Sequence, residues 1–151
     1  MIDTLPISSA RLIDILLVED DEGDILLTKK ALTNGKIFNG MHIARDGVEA
    51  MGFLKQTGKF TDAPRPDLVL LDLNMPRKDG REVLADIKQD PELCSIPVVV
   101  LTTSDSDIDV ANMYALQANC YVTKPVDLEK FTKIVKEIKH FWFSVVKLPP
   151  E

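Results

Sequence analysis

Cysteine is scarce in this chain: Cys94 and Cys120 are the only two among 151 residues. They build no disulfide framework and match no metal-ligand spacing, so both are expected to be reduced packing thiols. Positive charge is also short. Eighteen Lys and Arg face 24 Asp and Glu, for a net charge of -6. That balance gives no electrostatic support to nucleic-acid binding and makes a bound cation or a basic partner surface the natural complement. No apolar run approaches the ~20 residues needed to span a bilayer. Met1 to Arg11 has neither the basic start nor the apolar core of a signal peptide, so a cytoplasmic protein with no membrane association is expected. The length suits one domain with a self-sufficient core, and there is no internal repeat or low-complexity tract.

What is present is an alternation of short apolar runs with amphipathic stretches. Ile13 to Val18 is an apolar run bounded by acids and reads as a strand. Asp21 to Leu32 carries Ile25, Leu26, Ala31 and Leu32 at helical spacing and is expected to stop at Asn34-Gly35. Met41 to Ala44 is a weak second strand. Asp46 is placed to cap a helix through about Thr57, followed by a loop, Thr61 to Pro66. Asp67 to Leu71 is a third strand. Gly80 to Gln89 is a helix with Val83, Leu84 and Ile87 inward. Pro97 to Leu101 is a fourth strand, Asp105 to Leu116 a helix, Cys120 to Thr123 a fifth strand, and Asp127 caps a last helix to about Phe143. The strands are continuously apolar rather than alternating, which implies a sheet covered on both faces. Helical crossovers make it parallel and right-handed. The expected fold is therefore α/β, a doubly wound five-stranded parallel sheet of flavodoxin-like, (βα)5 type, whose ligand site lies at the carboxyl ends of the strands.

Chemistry gathers at that edge. Glu19, Asp20 and Asp21 follow the first strand, Asp72 the third, Thr102, Thr103 and Ser104 the fourth, and Lys124-Pro125 the fifth. Each has an ordinary structural use: Asp21 as a helix cap, Thr102 as a turn hydroxyl, Lys124 as a surface lysine. Two or three carboxylates packed together repel one another. A hard divalent cation with oxygen ligands relieves this, and Mg²⁺ suits a site of few carboxylates and retained waters. A carboxylate beside Mg²⁺ is a competent nucleophile towards phosphorus. A hydroxyl and a lysine would then meet the remaining phosphoryl oxygens.

These residues resemble the receiver domain of two-component response regulators. The matching runs are ILLVEDD (Ile15 to Asp21), LLDLNMPRKDG (Leu70 to Gly80), PVVVLTTS (Pro97 to Ser104) and CYVTKP (Cys120 to Pro125). The resemblance implies that Asp72 accepts a phosphoryl group from a phosphohistidine on a sensor kinase. It implies that Glu19 and Asp20 are the acidic pair holding Mg²⁺, with Asp21 at the helix start, and that the backbone carbonyl of Asn74 completes the metal site. Asn74 and Ser104 occupy the positions that tune dephosphorylation. Thr102 and Lys124 match the switch hydroxyl and the phosphate-binding lysine, Tyr121 matches the switch aromatic, and Pro125 matches a cis-proline position. The chain would not be an enzyme in its own right, but a phosphoacceptor that assists its own Mg²⁺-dependent phosphorylation and dephosphorylation.

A narrower resemblance is carried by ARDGVEAMGFLKQTG, APRPDLVLLDLNMPRKDGREVLADIK, ANCYVTKPVDLEKF and HFWFSVVKLP. These runs are similar to the regulators paired with cyanobacterial and bacterial phytochromes. They imply a phytochrome-like histidine kinase as partner and a homodimer through the fourth helix, fifth strand and fifth helix. The expected organisation is an N-terminal extension at 1–11, a receiver domain at 12–143 and a tail at 144–151. With no output domain read after it, signalling is expected through protein contact or onward phosphotransfer. Three other readings compete. A phosphate-independent adaptor is disfavoured because every chemical position is filled. An aspartate-dependent phosphatase needs a second Asp where Asn74 stands. A flavin-binding protein would place FMN phosphate against Glu19, Asp20 and Asp21. Asp79-Gly80 reads as a turn and helix start rather than a metal ligand. His42 and His140 have no partner at ligand spacing and read as surface or packing residues.

Overall fold

The structure is a computed structural model that describes residues 13–34, 39–73, 75, 77–102 and 120–123. Strand β1 spans Ile13–Val18, β2 Asn39–Ala44, β3 Leu68–Asp72, β4 Val98–Thr102 and β5 Cys120–Thr123. They form one parallel sheet in the order β2-β1-β3-β4-β5. That is the doubly wound arrangement expected from continuous apolar strands, and the order reverses beside β1, where β1 and β3 are neighbours. Helix α1 spans Glu22–Asn34, α2 Gly47–Lys55 and α3 Gly80–Gln89, with a 3-10 turn at Gly58–Phe60.

The central strands are dry. Ile15, Leu16, Leu17 and Val18 of β1, and Leu68 to Leu71 of β3, are buried, as are Val98 to Leu101 of β4. The core on one face joins Leu16, Val18, Val69, Leu71, Val98 and Val100 to Phe53 and Leu54 of α2 and to Val83, Leu84 and Ile87 of α3. Those three α3 residues recur at helical spacing, so one stripe of the helix meets the sheet. Each fully buried Leu, Ile or Val contributes roughly 1.5–3 kcal/mol, and β1 and β3 alone supply eight such residues.

The helix starts follow from side chains. Asp46 accepts from the Glu49 N–H at 2.8 Å and caps α2. Asp79 and Glu82 form a reciprocal capping box on α3, the arrangement that satisfies two orphan N–H groups at once. Asp79-Gly80 is thus the turn and helix start read from sequence.

Several boundaries differ from expectation. β3 is shifted by one residue, so Asp72 closes the strand rather than following it: its backbone pairs with Leu101 of β4. α2 ends at Lys55 instead of about Thr57, because Gln56 takes the left-handed conformation (φ 57) and its N–H turns back to Gly52 and Phe53 carbonyls. α1 ends at Asn34, as its sequence stop signal leads one to expect. Cys94, expected to be packed, is exposed in the turn after α3. The expected fourth and fifth helices, residues 105–116 and 127–143, lie outside the described residues, as do both terminal extensions and His140. No helix among the described residues is long and apolar enough to cross a membrane.

Candidate phosphoryl-acceptor and metal site

Register builds the site. Val18 pairs with Leu71, the last rung of the β1–β3 ladder. The next residues on each strand are Glu19 and Asp72, so the two carboxylates leave the sheet side by side. The Glu19 N–H continues onto β2 by donating to the Ala44 carbonyl at 2.9 Å, which fixes where β1 ends. One oxygen from each of Glu19, Asp20 and Asp72 lies within 4.8 Å of the others. Glu19 and Asp72 are buried, at 2% and 7% exposure, whereas Asp20 is open to solvent. Two buried acids and one exposed acid make a cluster that reaches solvent at Asp20. A cation held there would keep several waters, as Mg²⁺ requires.

Asp21 resolves the reading of the three consecutive acids. Its Oδ2 accepts from the Asp24 N–H at 2.8 Å and its carbonyl accepts from the Ile25 N–H at 2.9 Å. It caps α1 and is committed to the helix. Glu19 Oε2 accepts from the Asp21 N–H at 3.2 Å, which holds the buried carboxylate towards the strand end.

The loop after Asp72 is clamped from two sides. The Gly80 N–H donates to the Leu73 carbonyl, and the Gly47 N–H donates to the Lys78 carbonyl, both at 2.9 Å. Neither glycine could carry a side chain: a Cβ on Gly80 would sit 2.2 Å from the Asp72 carbonyl oxygen, and one on Gly47 would sit 2.1 Å from that of Lys78. Arg77 adopts φ 66, and its Nη1 lies 3.1 Å from Asp46 Oδ2. Lys78 Nζ lies 2.6 Å from Asp86 Oδ2. That hydrogen bond raises the Lys78 pKa above the usual lysine range, with burial opposing it and the charges of Asp86, Glu82 and Asp79 adding to it.

The other expected residues divide into two groups. Thr102 closes β4 one step beyond Leu101, the partner of Asp72, and pairs with Thr123 of β5. Tyr121 pairs with Val100. The ladder therefore carries Thr102 to the same edge as Glu19 and Asp72. Asn74, Ser104, Lys124 and Pro125 lie outside the described residues. The Asp46–Arg77 pair and the Gly47 clamp were not singled out from sequence. Their only sequence signal is Asp46-Gly47 itself, a helix-start pair whose tertiary partner cannot be read locally.

The family model for the response regulator receiver domain matches residues 15–136. The chain belongs to the response regulator receiver family. It is 52% identical over 135 residues to the response regulator Rcp1 of Synechocystis sp., covering 89% of this chain and 92% of that protein. Among solved structures, the phosphorylated cyanobacterial phytochrome response regulator RcpA superposes with a TM-score of 0.87 at 50% identity, covering 93% of this chain and all of that one. The Mn²⁺-bound form of Rcp1 superposes with a TM-score of 0.84 at 51% identity, covering 91% and 99%. The receiver fold read from the strand pattern is thus shown, and so is a response-regulator role in phosphorelay signalling. Receivers bind a divalent metal, and the Glu19, Asp20 and Asp72 cluster offers the all-oxygen donor set that such an ion takes.

Proposed function

We propose that this receiver takes a phosphoryl group on Asp72 from the phosphohistidine of a sensor kinase. The observation that carries the reading is the convergence of Glu19, Asp20 and Asp72 within 4.8 Å at the carboxyl edge of the sheet. An Asp72 carboxylate oxygen attacks phosphorus, the P–N bond to the donor imidazole breaks, and its electron pair returns to the ring nitrogen. Glu19, Asp20, Asp72 and the carbonyl of Asn74 would hold Mg²⁺, which supplies charge neutralisation to the transferring group. Thr102 donates to one phosphoryl oxygen and Lys124 pairs with another, while Tyr121 follows Thr102 and Pro125 sets the lysine's approach. Asn74 and Ser104 govern access of the hydrolytic water. The chain thereby assists its own phosphorylation and dephosphorylation without turning over a separate substrate.

The kinase is phytochrome-like, by similarity to the cyanobacterial phytochrome response regulator RcpA. The working unit is a receiver over residues 12–143, flanked by extensions at 1–11 and 144–151, acting in the cytoplasm where kinases are charged by ATP. The phosphorylated form signals by conformational change and protein contact, with homodimerisation through the fourth helix, fifth strand and fifth helix. Intact mass after incubation with a small acyl phosphate and Mg²⁺ tests the acceptor. A Mg²⁺-dependent phosphoryl adduct on the native chain and none on Asp72→Asn is expected; an adduct that persists on Asp72→Asn would place the acceptor elsewhere.

A further inference from the structure

α2, the turn after it and Arg77 form an open groove of ≈ 470 Å³. Its floor is apolar. Val48 is 45% exposed, one of two large hydrophobic residues so exposed among the described residues. Met51 and Phe60 lie partly buried beside it, packed against the core. Phe60 meets Phe53 edge-on, with ring centroids 5.6 Å apart, and Phe53 is buried. The floor is therefore anchored to the interior and is already formed before anything binds.

The rim has the opposite charge to the protein as a whole. Lys55, Lys59 and Arg77 line the groove on a chain of net charge -6. Glu49 is the one acid of the lining, and its Oε1 accepts from the Arg45 N–H at 3.1 Å, at the start of α2. Arg77 is held by Asp46. Lys59 Nζ sits 5.2 Å from the Phe60 ring centroid, and neither Lys55 nor Lys59 has a carboxylate partner among the described residues.

An apolar floor inside a cationic rim fits one kind of occupant. We propose that this groove docks an acidic segment of a partner protein, with an aliphatic or aromatic anchor on Val48, Met51 and Phe60 and flanking carboxylates on Lys55, Lys59 and Arg77. Apolar anchors seated in preformed pockets carry most of the affinity of such contacts. Rim charges select the partner and speed encounter. A nucleic acid fits less well, because the floor of Val48, Met51 and Phe60 calls for an apolar anchor that a phosphate backbone does not supply. Arg77 stands on the loop after Asp72, whereas the other lining residues belong to α2 and the turn after it, so binding by the unphosphorylated chain tests the groove without phosphoryl transfer.

The test is an amide-resolved NMR titration of the full chain with a short capped peptide that bears a Trp-Leu anchor between glutamates. A counterpart with lysines in place of the glutamates serves as control. Shifts are expected at Val48, Gly52, Phe60 and Arg77, for the acidic peptide only, and to weaken as salt screens the rim. Val48→Asp, and Lys55→Glu combined with Lys59→Glu, should each weaken binding by about tenfold or more. Both change exposed side chains, and an unchanged melting temperature confirms that the fold survives. Equal binding of the lysine peptide, shifts elsewhere, or retention in both variants would overturn the proposal. So would binding that appears only after residues 144–151 are removed, which would assign the groove to the chain's own tail. Groove shifts produced by anionic vesicles or a single-stranded oligonucleotide, with none from the acidic peptide, would overturn it too.

Discussion

The two ends of β1 and β3 carry similar residues and use them in opposite ways. At the amino edge stand Asp14 and Asp67. The Asp14 N–H donates to Asp67 Oδ2 at 2.9 Å, the Asp67 N–H donates to the Asp14 carbonyl at 2.7 Å, and His42 Nε2 lies 3.0 Å from Asp14 Oδ1. Each acid there is answered by a donor of the protein. At the carboxyl edge Glu19, Asp20 and Asp72 crowd within 4.8 Å, three like charges whose mutual repulsion a divalent cation would relieve. One edge sets acids against donors and stabilises the sheet. The other gathers acids together, and is the edge at which the proposed phosphoryl chemistry would take place.

The sharpest way to break this contrast is to alter β3 at each end. Asp72→Asn is expected to abolish phosphoryl acceptance outright, read by intact mass. It should also leave thermal stability in metal-free buffer equal or higher, since a like charge is removed from the cluster. Asp67→Ala should do the reverse: phosphorylation is kept, and about 1 kcal/mol of stability is lost with the acceptor of the Asp14 N–H, read from urea unfolding. If both variants lose phosphorylation, the two edges are not functionally distinct.

A cation should distinguish the edges next. Mg²⁺ at about a hundred times its dissociation constant is expected to stabilise the native chain by roughly 2.7 kcal/mol, a rise of several degrees in melting temperature. Asp20→Asn should shrink that rise and Asp14→Asn should leave it intact. An equal response in the two variants would mean that the ion binds elsewhere.

Much of this site was legible because it is built by period and register. Continuous apolar strands implied a parallel sheet, the parallel sheet implied a common carboxyl edge, and the acids at strand ends followed. The one-residue shift of β3 arose because pairing between Asp72 and Leu101 is a backbone matter, indifferent to the charge of the side chain. The end of α2 was missed because Gln56 occupies the left-handed position usually taken by glycine. His42 was read as a surface or packing residue with no partner at ligand spacing, and its ring does pack on Phe53, tilted at 44° with centroids 5.2 Å apart. Its neighbour Asp14 is 28 residues away in the chain, so only the β1–β2 register brings them together.

That His42–Asp14 pair provides a smaller test. Both side chains are partly exposed, at 31% and 25%, so a double-mutant cycle with His42→Ala and Asp14→Asn should give a coupling of about 0.5 kcal/mol, at the low end for a side-chain hydrogen bond. It should leave Mg²⁺ binding unaltered. The smallest effect is expected from Asp86→Asn, beside the carboxyl edge. The raised pKa of Lys78 means that its bond to Asp86 contributes at neutral pH and is lost as pH rises through the folded-state value, above the ordinary lysine range. Unfolding midpoints of the native chain and the variant should therefore differ slightly near pH 7 and converge in strongly alkaline solution.

The glycine that opens α3 has a mechanical consequence. The first turn of that helix rests directly on the main chain of Asp72 and Leu73, with no room for even a methyl group between them. Gly80 is thus a spacer of zero thickness: a Gly80→Ala exchange would push α3 off β3 or shift Asp72 against its rung with Leu101.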